Sequence, residues 1–265
     1  MPPTISVIIP TWNSAKTLVA AITSCLNQTL PPLEILVCDD GSSDDSKHVV
    51  EAINDARVIW LPATHVGTPA APRNNGLNKA RGTWIAFCDS DDEWLPTKLE
   101  KQYKLAEKNG YKAICTNALI KQDGVLTDKK MLSDESDIIS FSKLITGNTI
   151  ICSSAIVHAS ICTSVGGFPE DQQYASFEDY VFWLRVTTKT PFAYLSEALV
   201  IYDDHPNTSI RSKSVPDKEL KRRVYSNFID WAKTQQSPTL FPFMVRVKIY
   251  QGYLKIKNML VRVYR

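Results

Sequence analysis

From Ile5 to Asn109 the chain alternates short apolar runs with turn-forming stretches and runs of helical length, with no internal repeat of sequence. Strand–helix alternation at this spacing dictates a mostly parallel sheet, because parallel neighbours can be joined only by a long crossover. Strands are expected over 5–10, 34–39, 57–61 and 84–89. The helices between them are predicted from an Asn13 or Ser14 cap to about residue 29, up to about 53, and over 68–80 despite Pro69 and Pro72. A fourth helix is predicted over 96–109, with Pro96 suited to its first turn and Gly110 to its stop. The second half is less regular. It reads as strands over 111–120 and 150–157, one or two strands over 192–202, a short helix over 141–146, and helices over 178–188 and 218–234. The polar stretch 122–137 reads as a loop. The pattern is a single α/β domain over 1–212 followed by a helical C-terminal extension, 213–265.

Composition narrows the function. Thirty Lys and Arg stand against 28 Asp and Glu, a net charge of +2, which is not the balance of a nucleic-acid binder. The six cysteines form no C-x-x-C pair, so neither a zinc site nor a redox motif is visible, and reduced thiols in a cytoplasmic protein are expected. Met1–Thr4 lacks a basic region followed by an apolar one, and no stretch approaches the ~20 apolar residues that span a bilayer. His48, His65 and His158 have no partner pattern and read as structural or exposed.

The polar residues gather where the strands end, the edge at which open parallel sheets bind ligands. The first strand leads into Pro10-Thr11-Trp12-Asn13, the second into Asp39-Asp40-Gly41-Ser42, the fourth into Asp89-Ser90-Asp91-Asp92. The last places three carboxylates in four residues. Their mutual repulsion is relieved either by solvation, as a capping cluster before the next helix, or by a hard divalent cation that leaves positions open for phosphates. Glu178-Asp179 likewise reads as favourable charge at a helix start or as an acid–base pair.

Together these segments resemble family 2 glycosyltransferases of the GT-A (Rossmann-like) fold. The resemblance rests on Ser6-Val-Ile-Ile-Pro-Thr-Trp-Asn13, Glu34-Ile-Leu-Val-Cys-Asp-Asp-Gly-Ser-Ser-Asp44, Arg73-Asn-Asn-Gly76, Ala80-Arg-Gly82, Phe87-Cys-Asp-Ser-Asp-Asp-Glu-Trp94, Gly166-Gly-Phe168 and Glu178-Asp179, with Trp183 and Arg185, in that order. It implies a nucleotide-binding half to about residue 95 and an acceptor half over 96–212. It implies that Trp12, where the family usually has Tyr, packs on a uracil ring and that Asp40 accepts the uracil N–H. Pro10, Thr11, Asn13, Asp39, Arg73, Asp89 and Ser90 would complete the nucleotide site. Pro72 precedes Arg73 where the family more often has Ala. Asp91, and next Asp92, would hold Mn2+ or Mg2+ on the diphosphate, and His205 or Arg211 would touch that diphosphate. Asp179, with Glu178 beside it, would be the base of an inverting transfer from a UDP-sugar to a glycan acceptor. The resemblance further implies bacterial surface polysaccharide synthesis on a polyprenyl-diphosphate-linked acceptor, O-antigen or capsule being examples. A nucleotidyltransferase would want a glycine- and lysine-rich loop after the first strand, which Pro10–Asn13 does not offer; a nucleotide-sugar-binding scaffold would need no base.

The tail from Phe241 to Arg265 has six basic residues and no acidic one. At helical spacing Val245, Ile249, Tyr253, Ile256, Leu260 and Val263 form one apolar stripe; Val247, Leu254 and Val261 form another. Such a helix suits either packing on the catalytic domain or an anionic surface at the cytoplasmic face of the inner membrane.

Overall fold

The computed structural model describes residues 3–133, 136–204 and 216–263, with side chains to residue 256. The expected alternation is present: β1 (Ile5–Thr11), α1 (Leu18–Leu26), β2 (Glu34–Asp39), α2 (Ser46–Glu51), β3 (Val58–Leu61), α3 (Ala70–Lys79) and β4 (Trp84–Phe87). These strands pair in parallel in the order β3-β2-β1-β4. Every residue of β1 and β2 is buried, which is why both read as unbroken apolar runs rather than alternating ones. The order reverses between β1 and β4, so the switch point that forms a ligand crevice lies at the ends of those two strands. Pro69 and Pro72 do not break α3, since they occupy its cap and first turn, where backbone N–H groups have no helical partner anyway. Gly76 lets α3 press on the sheet; a Cβ there would stand 2.7 Å from Ile8 Cγ2.

Beyond β4 the chain runs through β5 (Glu93–Trp94), α4 (Lys98–Asn109), β6 (Ala113–Gln122), β7 (Val125–Lys130), β8 (Ile138–Ile139) and α5 (Phe141–Leu144). It continues through β9 (Ile156–His158), α6 (Ala159–Val165), α7 (Glu178–Thr187), β10 (Phe192–Asp204), α8 (Asp217–Thr234) and α9 (Phe241–Val263). The sheet extends as β9-β6-β10-β5, with β9 antiparallel between β4 and β6 and β10 parallel to β6. Gly110 closes α4 in the left-handed conformation, as expected.

The sequence reading did not foresee β5, β8 or α6, and three segments that it did assign differ. The stretch read as a polar loop contains β7, folded back on β6 through Asp123 and Gly124, both at positive φ, the Asp-Gly turn that favours a tight hairpin. The strand expected over 150–157 is instead a 3-10 turn, Cys152–Ser154, followed by the three residues of β9. Residues 192–204 form one strand with a register irregularity between Leu195 and Val200.

The C-terminal helices share the main core. Val224, Tyr225, Phe228 and Val247 are fully buried in it, and Phe243 of α9 packs edge-on against Phe141. Of the two stripes of α9, the one with Val247 and Leu254 faces the core. The other leaves Ile249, Tyr253 and Ile256 more than half exposed, with Phe241 at the helix start. Among the described residues no helix is long and apolar enough to cross a membrane.

Candidate active site

The ends of β1, β2 and β4 are tied together by short polar contacts. Asn13, left-handed at φ 49°, donates its backbone N–H to Ser42 Oγ (2.9 Å), and its Oδ1 accepts the Ser43 N–H (2.8 Å). Ser14 Oγ lies 2.9 Å from Ser90 Oγ, which joins this loop to the acidic segment after β4. Asn is among the few residues that tolerate this backbone conformation, so its role here is local geometry.

Trp12 projects from the end of β1, 53% exposed, and stacks on His65 with ring centroids 4.9 Å apart and 19° between planes. His65 Nδ1 in turn lies 2.9 Å from Asp40 Oδ2. His65 thus belongs to the site, although nothing in its sequence neighbourhood marks it; only the crossing of the β3–α3 connection over β2 brings it there. Asp40 is buried, and its carboxylate accepts the N–H groups of Val66 (2.8 Å) and Gly67 (2.9 Å). Asp39, also buried, accepts the Ser42 N–H at 3.0 Å. Pro10 and Thr11 are buried in β1 and shape this edge.

Arg73 of α3 is buried between two carboxylates. Its Nη2 donates to Asp89 (2.6 Å) and its Nη1 to Glu178 (2.5 Å). Burial alone would push the guanidinium toward neutrality; Cys152, Asp89 and Glu178 outweigh it and hold the charge firmly. Glu178 is itself buried, whereas Asp89 is partly exposed. This arginine therefore bridges the acidic segment and the start of α7 across the crevice, using both ends of its fork on protein carboxylates.

The acidic segment divides by direction. Asp91 is exposed. Asp92 turns inward, 1% exposed, and accepts from the Ser153 hydroxyl and from the Asp203 N–H (3.0 Å). Burial, with Asp91 and Asp89 adding to it, pushes its carboxyl well above the ordinary range. Asp92 is thus a latch between the loop, the 3-10 turn and β10. Asp92, expected after Asp91 as a metal ligand, has both oxygens engaged by protein donors and closed to solvent in this arrangement. Among the described residues no cluster of three or more His, Cys, Asp or Glu forms a metal cage. Asp91 with the exposed part of Asp89 still fits a hard cation that takes one or two carboxylates and completes its shell from phosphates and water. His205 and Arg211 lie outside the described residues.

Asp179, half-buried, follows Glu178 at the start of α7, and its Oδ2 accepts from Asn148 Nδ2 at 3.1 Å. Ser176, just before the helix, is held at φ 79°, a conformation that costs a non-glycine residue and is often found at functional sites. Asp179 lines a cavity of about 460 Å3 with Asn148, Thr149, Phe177 and Lys221. The Gly166-Gly167-Phe168 turn is held by Asn74, whose Oδ1 accepts the Phe168 N–H (2.8 Å); a Cβ on Gly167 would stand 2.6 Å from that oxygen. A switch point between β1 and β4, an acidic lip after β4 and a carboxylate lining a cavity at the start of α7 put a ligand-binding sheet edge beside a candidate acid–base group.

Comparison with known proteins agrees. The profile of Glycosyl transferase family 2 matches residues 6–165, and the chain belongs to that family. Two Escherichia coli proteins described as UDP-Glc:alpha-D-GlcNAc-diphosphoundecaprenol beta-1,3-glucosyltransferases are similar. WfaP is 32% identical over 70% of this chain and 70% of its own length. WfgD is 30% identical over 85% and 87%. Among solved structures, S. aureus TarS 1-349 in complex with UDP-GlcNAc superposes with a TM-score of 0.71 at 22% identity, covering 92% of this chain and 72% of that one. The mannosyltransferase PcManGT from Pyrobaculum calidifontis, in complex with GDP-Man and Mn2+, does so at 0.59 and 18%, covering 93% and 69%. The fold is GT-A and the chain is a glycosyltransferase, which displaces the nucleotidyltransferase and scaffold alternatives.

Proposed function

We propose that this enzyme is an inverting glucosyltransferase that uses UDP-glucose to extend an N-acetylglucosamine carried on a polyprenyl diphosphate, forming a β-1,3 linkage in bacterial surface polysaccharide synthesis. The observation that carries the reading is the bonded row Asp89–Arg73–Glu178, which ties the acidic segment at the strand ends to the start of α7, where Asp179 lines a cavity. The names of WfaP and WfgD support the choice of donor and acceptor.

In this reading Trp12, backed by His65, is the face on which the base lies, and Asp40 or Asp39 accepts its N–H. Asp91, with Asp89, would hold Mg2+ or Mn2+, which when bound would supply positive charge against the leaving diphosphate. Asp179 takes the proton from an acceptor hydroxyl while that oxygen attacks the anomeric carbon opposite the leaving UDP. The C–O bond to the diphosphate breaks as the new one forms, and the configuration inverts. Asn148 and the backbone of Tyr180 hold the Asp179 carboxylate in place, and Arg73 fixes the helix start that carries it.

We further propose that α9 rests on the cytoplasmic leaflet, where such an acceptor is held. Ile249, Tyr253 and Ile256 are exposed in one stripe, which exposed Lys248 and Lys255 flank. Anionic vesicles should bind the protein, and Ile249→Ser/Ile256→Ser should bind them at least fivefold more weakly; equal binding by the variant would remove the docking claim.

The test of the activity is incubation with UDP-[14C]glucose and a synthetic α-N-acetylglucosaminyl diphospholipid. Label should enter the lipid and be released by a β-1,3-specific glucosidase. Label transferred only from another sugar nucleotide, or resistant to that enzyme, would overturn the assignment.

A further inference from the structure

The cavity beside Asp179 has apolar walls, Leu132, Ile151 and Leu220 among them, interspersed with the polar side chains of Asn148, Thr149, Ser176, Asp217 and Lys221. Its volume of about 460 Å3 falls in the ~300–1,000 Å3 range of small-molecule sites. Two of its polar groups are poorly satisfied by the protein itself. Thr149 Oγ1 is buried without a hydrogen-bond partner, an arrangement that costs free energy unless something else occupies the space. Lys221, on the first turns of α8, has its side chain 16% exposed, so its charge is largely withdrawn from water. Its ion-pair partner is Asp217, 3.0 Å away and 76% exposed. An exposed carboxylate returns readily to water, so this pair is worth at most ~1 kcal/mol and holds the lysine only loosely. The neighbouring Arg222 and Arg223 are both engaged with Glu219. Lys221 is thus the cation that the cavity itself presents.

We propose that Thr149 and Lys221 form an acceptor subsite, in which the Thr149 hydroxyl bonds a sugar hydroxyl next to Asp179 and Lys221 Nζ exchanges Asp217 for the acceptor's diphosphate. A phosphate oxygen offers an ammonium a stronger, charge-assisted bond than a solvated surface carboxylate does. The apolar walls would lie along the faces of the pyranose ring and the first part of the lipid. The inference rests on the glycosyl-diphospholipid acceptor proposed above, and it adds which groups recognise it.

The experiment is acceptor kinetics with UDP-glucose and the same synthetic diphospholipid, alongside UDP affinity by calorimetry. Lys221→Gln should raise the acceptor KM roughly tenfold and Thr149→Val roughly three- to tenfold, with UDP affinity within twofold of wild type. Lys221→Arg should recover most of the loss, which a packing role for the lysine stem would not predict. If the wild type turns this acceptor over and both Lys221→Gln and Thr149→Val leave its KM within twofold, the subsite is overturned while the enzyme's reading stands. If the wild type makes no product, the acceptor reading fails and the subsite with it.

Discussion

Replacing Arg73 with Met tests whether the bridge across the crevice is what holds α7 in register with the acidic segment. The substitution removes both guanidinium bonds, at 2.6 Å to Asp89 and 2.5 Å to Glu178, while keeping an unbranched side chain of similar length. The two carboxylates respond differently. Asp89 has a side chain 29% exposed and can rehydrate, so its share of the loss is small. The Glu178 side chain is 5% exposed, and its Oε2 already lacks a hydrogen-bond partner. Stranding such a charge costs ~3–5 kcal/mol. At ~2–4 °C per kcal/mol for a chain of this size, the melting temperature should fall by about 6–20 °C. Thermal melts followed by tryptophan fluorescence, for which the chain has six indoles, measure this directly. The double variant Arg73→Met/Glu178→Gln should recover at least half of the loss, because it removes the stranded charge as well as its partner. A single variant within 1 kcal/mol of wild type, or a double variant whose loss equals the sum of the two single ones, would refute the reasoning.

Three further outcomes follow from the same geometry. Asp92 binds its proton more tightly in the folded than in the unfolded state, so its contribution is full below the ordinary carboxylate range (~4) and is lost as pH rises through the elevated folded value. Asp92→Asn should therefore lose less stability than wild type between pH 5 and pH 8, read as urea midpoints; parallel losses in the two proteins would contradict a buried charge there. Asp179→Asn should lower kcat by ~10²–10⁴ with UDP affinity kept within twofold, and a rate within tenfold of wild type would remove it as the base. Gly82→Ala should cost at least ~1–3 kcal/mol, because its Cβ would meet Ser6 N at 2.5 Å and backbone cannot step aside; Gly252→Ala in α9, with open space around it, should instead stabilise by up to ~1 kcal/mol.

What could be read from the chain alone follows from which forces are local. β1, β2 and β4 are legible because strands covered on both faces write themselves as apolar runs, and Gly110 marks the end of α4 by backbone chemistry, whereas Pro96, expected in the first turn of that helix, precedes its Thr97 cap. The position of the acidic segment at the sheet's ligand edge follows from topology. Direction was not legible. Asp91 and Asp92 are adjacent and chemically identical, yet one faces solvent and the other is drawn inward by Ser153 and Asp203, 61 and 111 residues away. Arg73 looked like a nucleotide contact, and its two carboxylate partners lie 16 and 105 residues off. His65, Thr149 and Lys221 belong to no motif, and long-range packing alone gathers them. The Asp123-Gly124 hairpin is a local signal, but the strand it begins, Val125–Lys130, is almost entirely exposed and so shows no apolar-in, polar-out alternation.

The central claim is that the ends of β1, β2 and β4 form a metal-assisted UDP site whose exposed carboxylate is Asp91 and whose buried one is Asp92. Calorimetric titration of UDP, with and without Mn2+, into wild type, Asp91→Ala and Asp92→Asn tests it most directly. The account predicts metal-dependent binding by wild type, retained within threefold by Asp92→Asn and lost by Asp91→Ala. Undiminished binding by Asp91→Ala, or binding lost only in Asp92→Asn, would contradict it.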